Sequence, residues 1–235
     1  MWMTRYYESD PSFLKKGKVN LLYGPRRVGK TSLIERLLEF KEGKIFIGNG
    51  DDIQLRSILS SEDKVRILDA FQDYDIIFIY EAQRITKIGW GLKILVDQLP
   101  KTTIIASGSS SFHLLSQVGE PLTGRNITHM LFPLSIFELK KQFGGMFVIG
   151  NLEKYLTFGM YPEVLNQSNK NDSISYLNEL RNSYLLKDIL ELENIRNSDK
   201  LFDLLRLLAY QIGNEVSLSE LGNSLSLSKQ TIGRY

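Results

Sequence analysis

Short uncharged apolar runs alternate along the chain with segments whose apolar residues recur every three or four positions. The first run, VNLLY at Val19–Tyr23, stops abruptly at Gly24 and Pro25, which predicts a buried strand cut off by turn residues. From Thr31 the period changes. Leu33, Ile34, Leu37 and Leu38 share one helical face, and Gly43 ends the helix they predict. KIFI at Lys44–Ile47 reads as a second strand and NGDD at Asn49–Asp52 as a turn with cap donors. Ile53–Gln72 then reads as two helices split near Ser60 and Ser61. The run at Ile76–Ile79 returns to the sheet. Ile88, Leu92, Leu95 and Leu99 predict a helix over Thr86–Leu99, closed by Pro100, with Thr103–Ala106 as the next strand. Gly108–Ser111 is a small-residue turn leading to a brief helix, and Asn126–Leu131 alternates as a further strand.

Strand and helix alternation of this kind predicts an α/β fold, a parallel sheet sandwiched by helices. Beyond Pro133 the strand signal ends. Ser135 and Leu152 open short helices, Ile174–Leu192 and Leu201–Ile212 read as long ones, and NQSNKND at Asn166–Asp172 reads as a polar loop. Near the end, Ser217 and Glu220 have capping-box spacing, and Leu218, Leu221 and Leu225 face inward. Ser228 then caps a helix carrying Lys229, Gln230, Thr231 and Arg234, so the segment reads as a partial helix-turn-helix. With a hinge at FGG around Gly144, the expected organisation is a sheet core over 1–145, a helical region over 146–197 and the helix-turn-helix start over 198–235.

Composition narrows the chemistry. The chain has 235 residues with 43% hydrophobic positions, enough for a sizeable core, and 29 Lys plus Arg against 27 Asp plus Glu, a net charge of +2. That balance excludes a dedicated polybasic nucleic-acid binder, so any such contact must be local. The absence of Cys removes disulfides, thiolate nucleophiles and Cys-based metal sites. With only His113 and His129, both read as structural, a multi-histidine metal centre is also excluded. The longest apolar run, Ile76–Tyr80, is far short of the roughly 18 residues of a membrane helix, and the N-terminus mixes Arg5 with Glu8 and Asp10. The expectation is a cytoplasmic protein without a membrane partner.

The sharpest chemical signal is GPRRVGKT, formed by Gly24, Pro25, Arg26, Arg27, Val28, Gly29, Lys30 and Thr31, with Ser32 following. It fits G-x-x-x-x-G-K-[ST] and lies between a buried strand and an amphipathic helix, the context a phosphate-binding loop requires. The glycines let backbone N–H groups close around phosphate oxygens, and Lys30 reaches the terminal phosphates. The Thr31 hydroxyl can ligate Mg2+. Arg26 and Arg27 face solvent or neighbouring loops and add positive field. The expected ligands are therefore a nucleoside triphosphate and Mg2+ on a P-loop NTPase sheet; no base-reading motif can be located from spacing, and ATP as the nucleotide is implied by a family resemblance alone. IIFIYEAQ is an apolar strand ending in Glu81, at the sheet edge where ligands bind, which makes Glu81 the candidate for activating water; the plain alternative is a surface carboxylate.

GPRRVGKT, FIYEAQ, IIASGSSS, GEPLTGR, LFPLSIFEL and FGMYPEVL occur in this order, and the string resembles a large family of prokaryotic ATPases of the extended AAA class. The resemblance covers about residues 15 to 235. It implies an ATPase core, a helical lid, a winged-helix segment and, in relatives, a nuclease-like C-terminal domain of unknown function. It makes Ser109 the polar residue that senses the terminal phosphate or orients water, although a small-residue turn explains Ser109 as well. It also makes Arg125 an arginine finger reaching a neighbour's nucleotide in a homo-oligomer, against the alternative of a locally paired Arg. In the lid, Gly159 and Pro162 form a bend that would cover the adenine, where Tyr161 either stacks or is simply buried. One departure matters: relatives have Asp-Glu where this chain has Tyr80-Glu81, and a phenol cannot replace the charge of an acid that holds magnesium. Weak hydrolysis follows. The alternatives are a non-hydrolysing nucleotide switch and an adaptor contacting double-stranded DNA through the C-terminal helices.

Overall fold

The structure, a computed structural model, describes residues 2–10, 12–109, 121–182 and 198–234. The brief helix expected after SGSSS, with His113, and the second half of Ile174–Leu192 lie outside the described residues. Packing divides the chain into two units, Met1–Gln167 and Ser168–Tyr235.

The first unit is built on a five-stranded parallel sheet of β1 (Val19–Tyr23), β2 (Ile45–Asn49), β3 (Ile76–Tyr80), β4 (Thr103–Gly108) and β5 (Asn126–Met130), in the order β2-β3-β4-β1-β5. Successive residues of the central strands serve opposite faces. Leu21, Ile77, Ile79, Ile104 and Ala106 pack on one side, against α2 (Ile53–Leu59), α3 (Lys64–Phe71) and α4 (Ile88–Gln98). Leu22, Ile76, Phe78 and Ile105 pack on the other, against Leu33, Ile34 and Leu38 of α1 (Lys30–Leu38). This period-two split explains why the strands read as unbroken apolar runs: both faces are covered.

The predicted elements form with small shifts. β2 runs on to Asn49, because its backbone pairs with β3 as far as Tyr80, and α4 starts at Ile88 after a separate 3-10 turn at Ala82–Arg84. The split between α2 and α3 is made by Asp63, which caps α3 through the N–H groups of Val65 and Arg66. The sheet is followed by α5 (Ile136–Phe143), α6 (Gly145–Gly150), α7 (Leu152–Phe158) and α8 (Pro162–Asn166). Ser135 and Glu138 close a reciprocal capping box on α5.

In the second unit, α9 (Lys170–Leu180) begins inside the expected polar loop, because Asn169 caps it by accepting from the Asp172 N–H. After α10 (Ser198–Tyr210), α11 (Leu218–Leu225) and α12 (Lys229–Arg234) are joined by a short turn in which Ser226 is left-handed at φ 55°. Leu204, Leu221, Leu225 and Ile232 form a core of their own. Among the described residues, no helix is long and apolar enough to cross a membrane.

Candidate functional site

The strand order places the site. β4 lies between β1 and β3, about 4.8 Å from each. Ser109, just past β4, therefore falls between the loop after β1 and the acid after β3, at the carboxyl edge where parallel sheets bind ligands. Three sequence candidates far apart in the chain thus meet at one edge: the GPRRVGKT loop, Glu81 and Ser109.

The loop is shaped by its glycines and by what surrounds it. Gly24 has φ 152°, and a Cβ there would lie 2.1 Å from the Leu131 carbonyl oxygen, so no other residue fits. Gly29 caps α1 in the left-handed region at φ 92°, with nothing within 4 Å of where its Cβ would be. The loop therefore presents open space at the N-terminus of α1, the arrangement that suits phosphate oxygens. Lys30 is buried, and its Nζ donates to the carbonyls of Gly24 at 2.9 Å and Pro25 at 2.8 Å, which hold the ammonium inside the loop. Arg27 is exposed with φ 61°, Arg26 is half-buried, Thr31 is half-buried and Ser32 exposed.

Val28 is fully buried, and its carbonyl accepts from Arg5 Nη1 at 2.9 Å. Arg5 itself is 4% exposed. Its Nε donates to Glu138 at 3.1 Å and its Nη2 to the Phe132 carbonyl at 2.5 Å. Burial would push the Glu138 carboxyl up. The N–H groups of Ser135 and Tyr6, the Arg5 guanidinium and the Ser135 hydroxyl outweigh burial and hold it below the usual glutamate range. The N-terminal segment, which as a sequence is only a polar lead-in, thus clamps the phosphate loop to α5. No spacing signal marks it, since Val28, Phe132 and Glu138, the three partners of the Arg5 guanidinium, are remote in sequence.

Glu81 directly follows β3 in the left-handed region at φ 50°. Its carbonyl oxygen would lie 2.2 Å from a Cβ on Gly50, and it accepts from the Arg84 N–H at 2.9 Å. The backbone under the acid is therefore fixed from two sides. Gln83, which the sequence reading did not single out, donates from Nε2 to Glu81 Oε2 at 2.6 Å and to Ser109 Oγ at 3.1 Å. Tyr80 packs into the apolar cluster on the α1 face, with its ring 6.0 Å from that of Phe78. Asp75 is at the opposite edge, accepting from the Lys44 N–H at 2.8 Å, and cannot stand in for the missing acid.

Two candidates lie outside this cluster. Arg125 precedes β5 at the amino edge of the sheet, about 16 Å of strand from the phosphate loop, with its Nε 2.6 Å from Asp97 of α4. Pro162 opens α8, and Gly159, at φ 72°, makes the bend before it, while Tyr161 packs against the α1-side core. His129 is held edge-on against Tyr7 and Phe13, where burial keeps it below the usual histidine range against the pull of Asp10. Among the described residues, no cluster of three or more His, Asp or Glu could hold a metal alone. An ion beside the loop would therefore take Thr31 as its protein ligand and most of its other oxygens from phosphate and water.

Residues 149–235 match the model of a domain of unknown function, DUF8612. Among curated proteins, the uncharacterized protein MJ1544 of Methanocaldococcus jannaschii is 26% identical over 232 residues, covering 92% of this chain and 52% of that protein. The uncharacterized protein MJ1637 of the same organism is 26% identical over 277 residues, covering 97% of this chain and 55% of its own length. The chain therefore spans about half the length of the curated relatives it matches. Residues 16–140, which contain the whole sheet, the phosphate loop, Glu81 and Ser109, match the model of the AAA domain, and the chain belongs to that ATPase-like, nucleotide-binding family.

Proposed function

We propose that this chain binds ATP with Mg2+ on the Gly24–Thr31 loop and turns it over slowly. The observation that carries the reading is the convergence of that loop, Glu81 and Ser109 on one sheet edge. Backbone N–H groups of the loop and the Lys30 ammonium neutralise the phosphates, and Thr31 is the protein ligand for the ion. Glu81, fixed by Gly50 and the 3-10 turn, accepts the proton of the attacking water, and Ser109 hydrogen-bonds the terminal phosphate.

Tyr80 supports slow chemistry: the position that would hold the ion's charged partner is an apolar ring packed on its neighbours. Changing Tyr80→Asp is expected to raise phosphate release about tenfold or more, since ion-mediated charge stabilisation is worth several kcal/mol. Equal, brisk rates in both proteins would refute that assignment. The second reading, a switch whose nucleotide only sets the lid, is favoured by the same ring and predicts tight ATP binding with no turnover. Arg125 can meet a phosphate only on a neighbouring molecule, so Arg125→Ala should leave nucleotide affinity unchanged. If hydrolysis by Arg125→Ala stays at the original rate at every protein concentration, the finger role is excluded.

A further inference from the structure

Gln83 joins the two polar groups that flank the phosphate loop. A carboxylate only accepts hydrogen bonds, so the Gln83 atom 2.6 Å from Glu81 Oε2 must be the amide nitrogen. The second proton of that nitrogen then goes to Ser109 Oγ at 3.1 Å. Two consequences follow from this fork. Ser109, accepting from Gln83, keeps its own hydroxyl proton to donate, and Glu81 keeps Oε1 as an acceptor. The turn that carries Gln83 is itself anchored. Ala82 and Ile85 are fully buried on either side, and the Ile85 N–H donates to the Ala82 carbonyl at 3.1 Å.

We infer that Gln83 is a positioning residue that aims the Ser109 hydroxyl at the third phosphate of a nucleoside triphosphate while holding Glu81 in its accepting orientation. This rests on the nucleotide-binding reading above. A nucleoside diphosphate has no group for Ser109 to meet, so the fork makes the site prefer triphosphate over diphosphate without any chemistry taking place.

The test measures ATP and ADP affinities and thermal midpoints for the original chain, Gln83→Met, Ser109→Ala and the double variant. Methionine keeps the length of the side chain and removes both donors. The ATP-to-ADP affinity ratio is expected to fall about tenfold in Gln83→Met, the size of one charge-assisted hydrogen bond, with ADP affinity and midpoint unchanged. Ser109→Ala should produce the same fall and the double variant no further loss, because the two act as one unit. Gln83→Met with an unaltered ratio, or with ATP and ADP weakened alike, overturns the inference while leaving nucleotide binding intact. An original chain that binds neither nucleotide overturns both.

Discussion

Arg5 and Glu138 show what single residues do for this site. The pair is almost wholly buried, with side chains 5% and 10% exposed, and the Arg5 guanidinium donates to the phosphate loop, to Phe132 and to Glu138. Removing one partner of such a pair leaves the other charge buried, so Arg5→Ala should cost about 3–5 kcal/mol in denaturant unfolding. Because Glu138 is held below its ordinary value of 4.5, the stability it contributes is present above that value. That contribution is lost as pH falls through the lowered folded value. Glu138→Gln should therefore flatten the acid limb of the stability profile, and an acid limb as steep as the original would refute the linkage. At this scale the sequence was partly legible. Lys30 and Thr31 announce themselves through a motif with fixed mechanics, and Glu81 through its place after an apolar strand. Arg5 and Gln83 were not, because their partners are set by the fold and not by spacing along the chain.

The elements explain why the motif residues meet. Insertion of β4 between β1 and β3 is invisible to local periodicity, which shows that strands exist but not their order. Their number and type were legible because each central strand is covered on both faces and reads as a continuous apolar run. Their ends were less so: pairing with β3 carried β2 past Ile47, and the cap at Asn169 started a helix inside a stretch rich in loop residues. Gly50 is the element-level constraint that a turn assignment alone could not show. Its Cα approaches the Glu81 carbonyl so closely that alanine would place Cβ 2.2 Å from the oxygen. Gly50→Ala should destabilise the chain by about 1–3 kcal/mol and lower turnover, since Glu81 must shift, while nucleotide affinity holds. Loss of affinity with turnover per bound nucleotide unchanged would contradict this placement of Glu81.

At the level of the molecule, Met1–Gln167 and Ser168–Tyr235 have separate cores, and every group assigned to the nucleotide lies in the first. A fragment of residues 1–167 is expected to bind ATP as tightly as the whole chain; a large loss would mean that the second unit contributes to the site. Were the second unit to contact double-stranded DNA through Lys229, duplex binding would fall with salt and would not change with Lys30→Ala. The net charge of +2 carries little information as a total. Its meaning comes from Lys30, buried in the loop where phosphates would lie. The most direct measurement is therefore the magnesium-dependent affinity for ATP of the original chain beside Lys30→Ala. Saturable binding that weakens about a hundredfold on losing the ammonium is the predicted result. No binding by the original chain, or equal binding by both, would contradict the account.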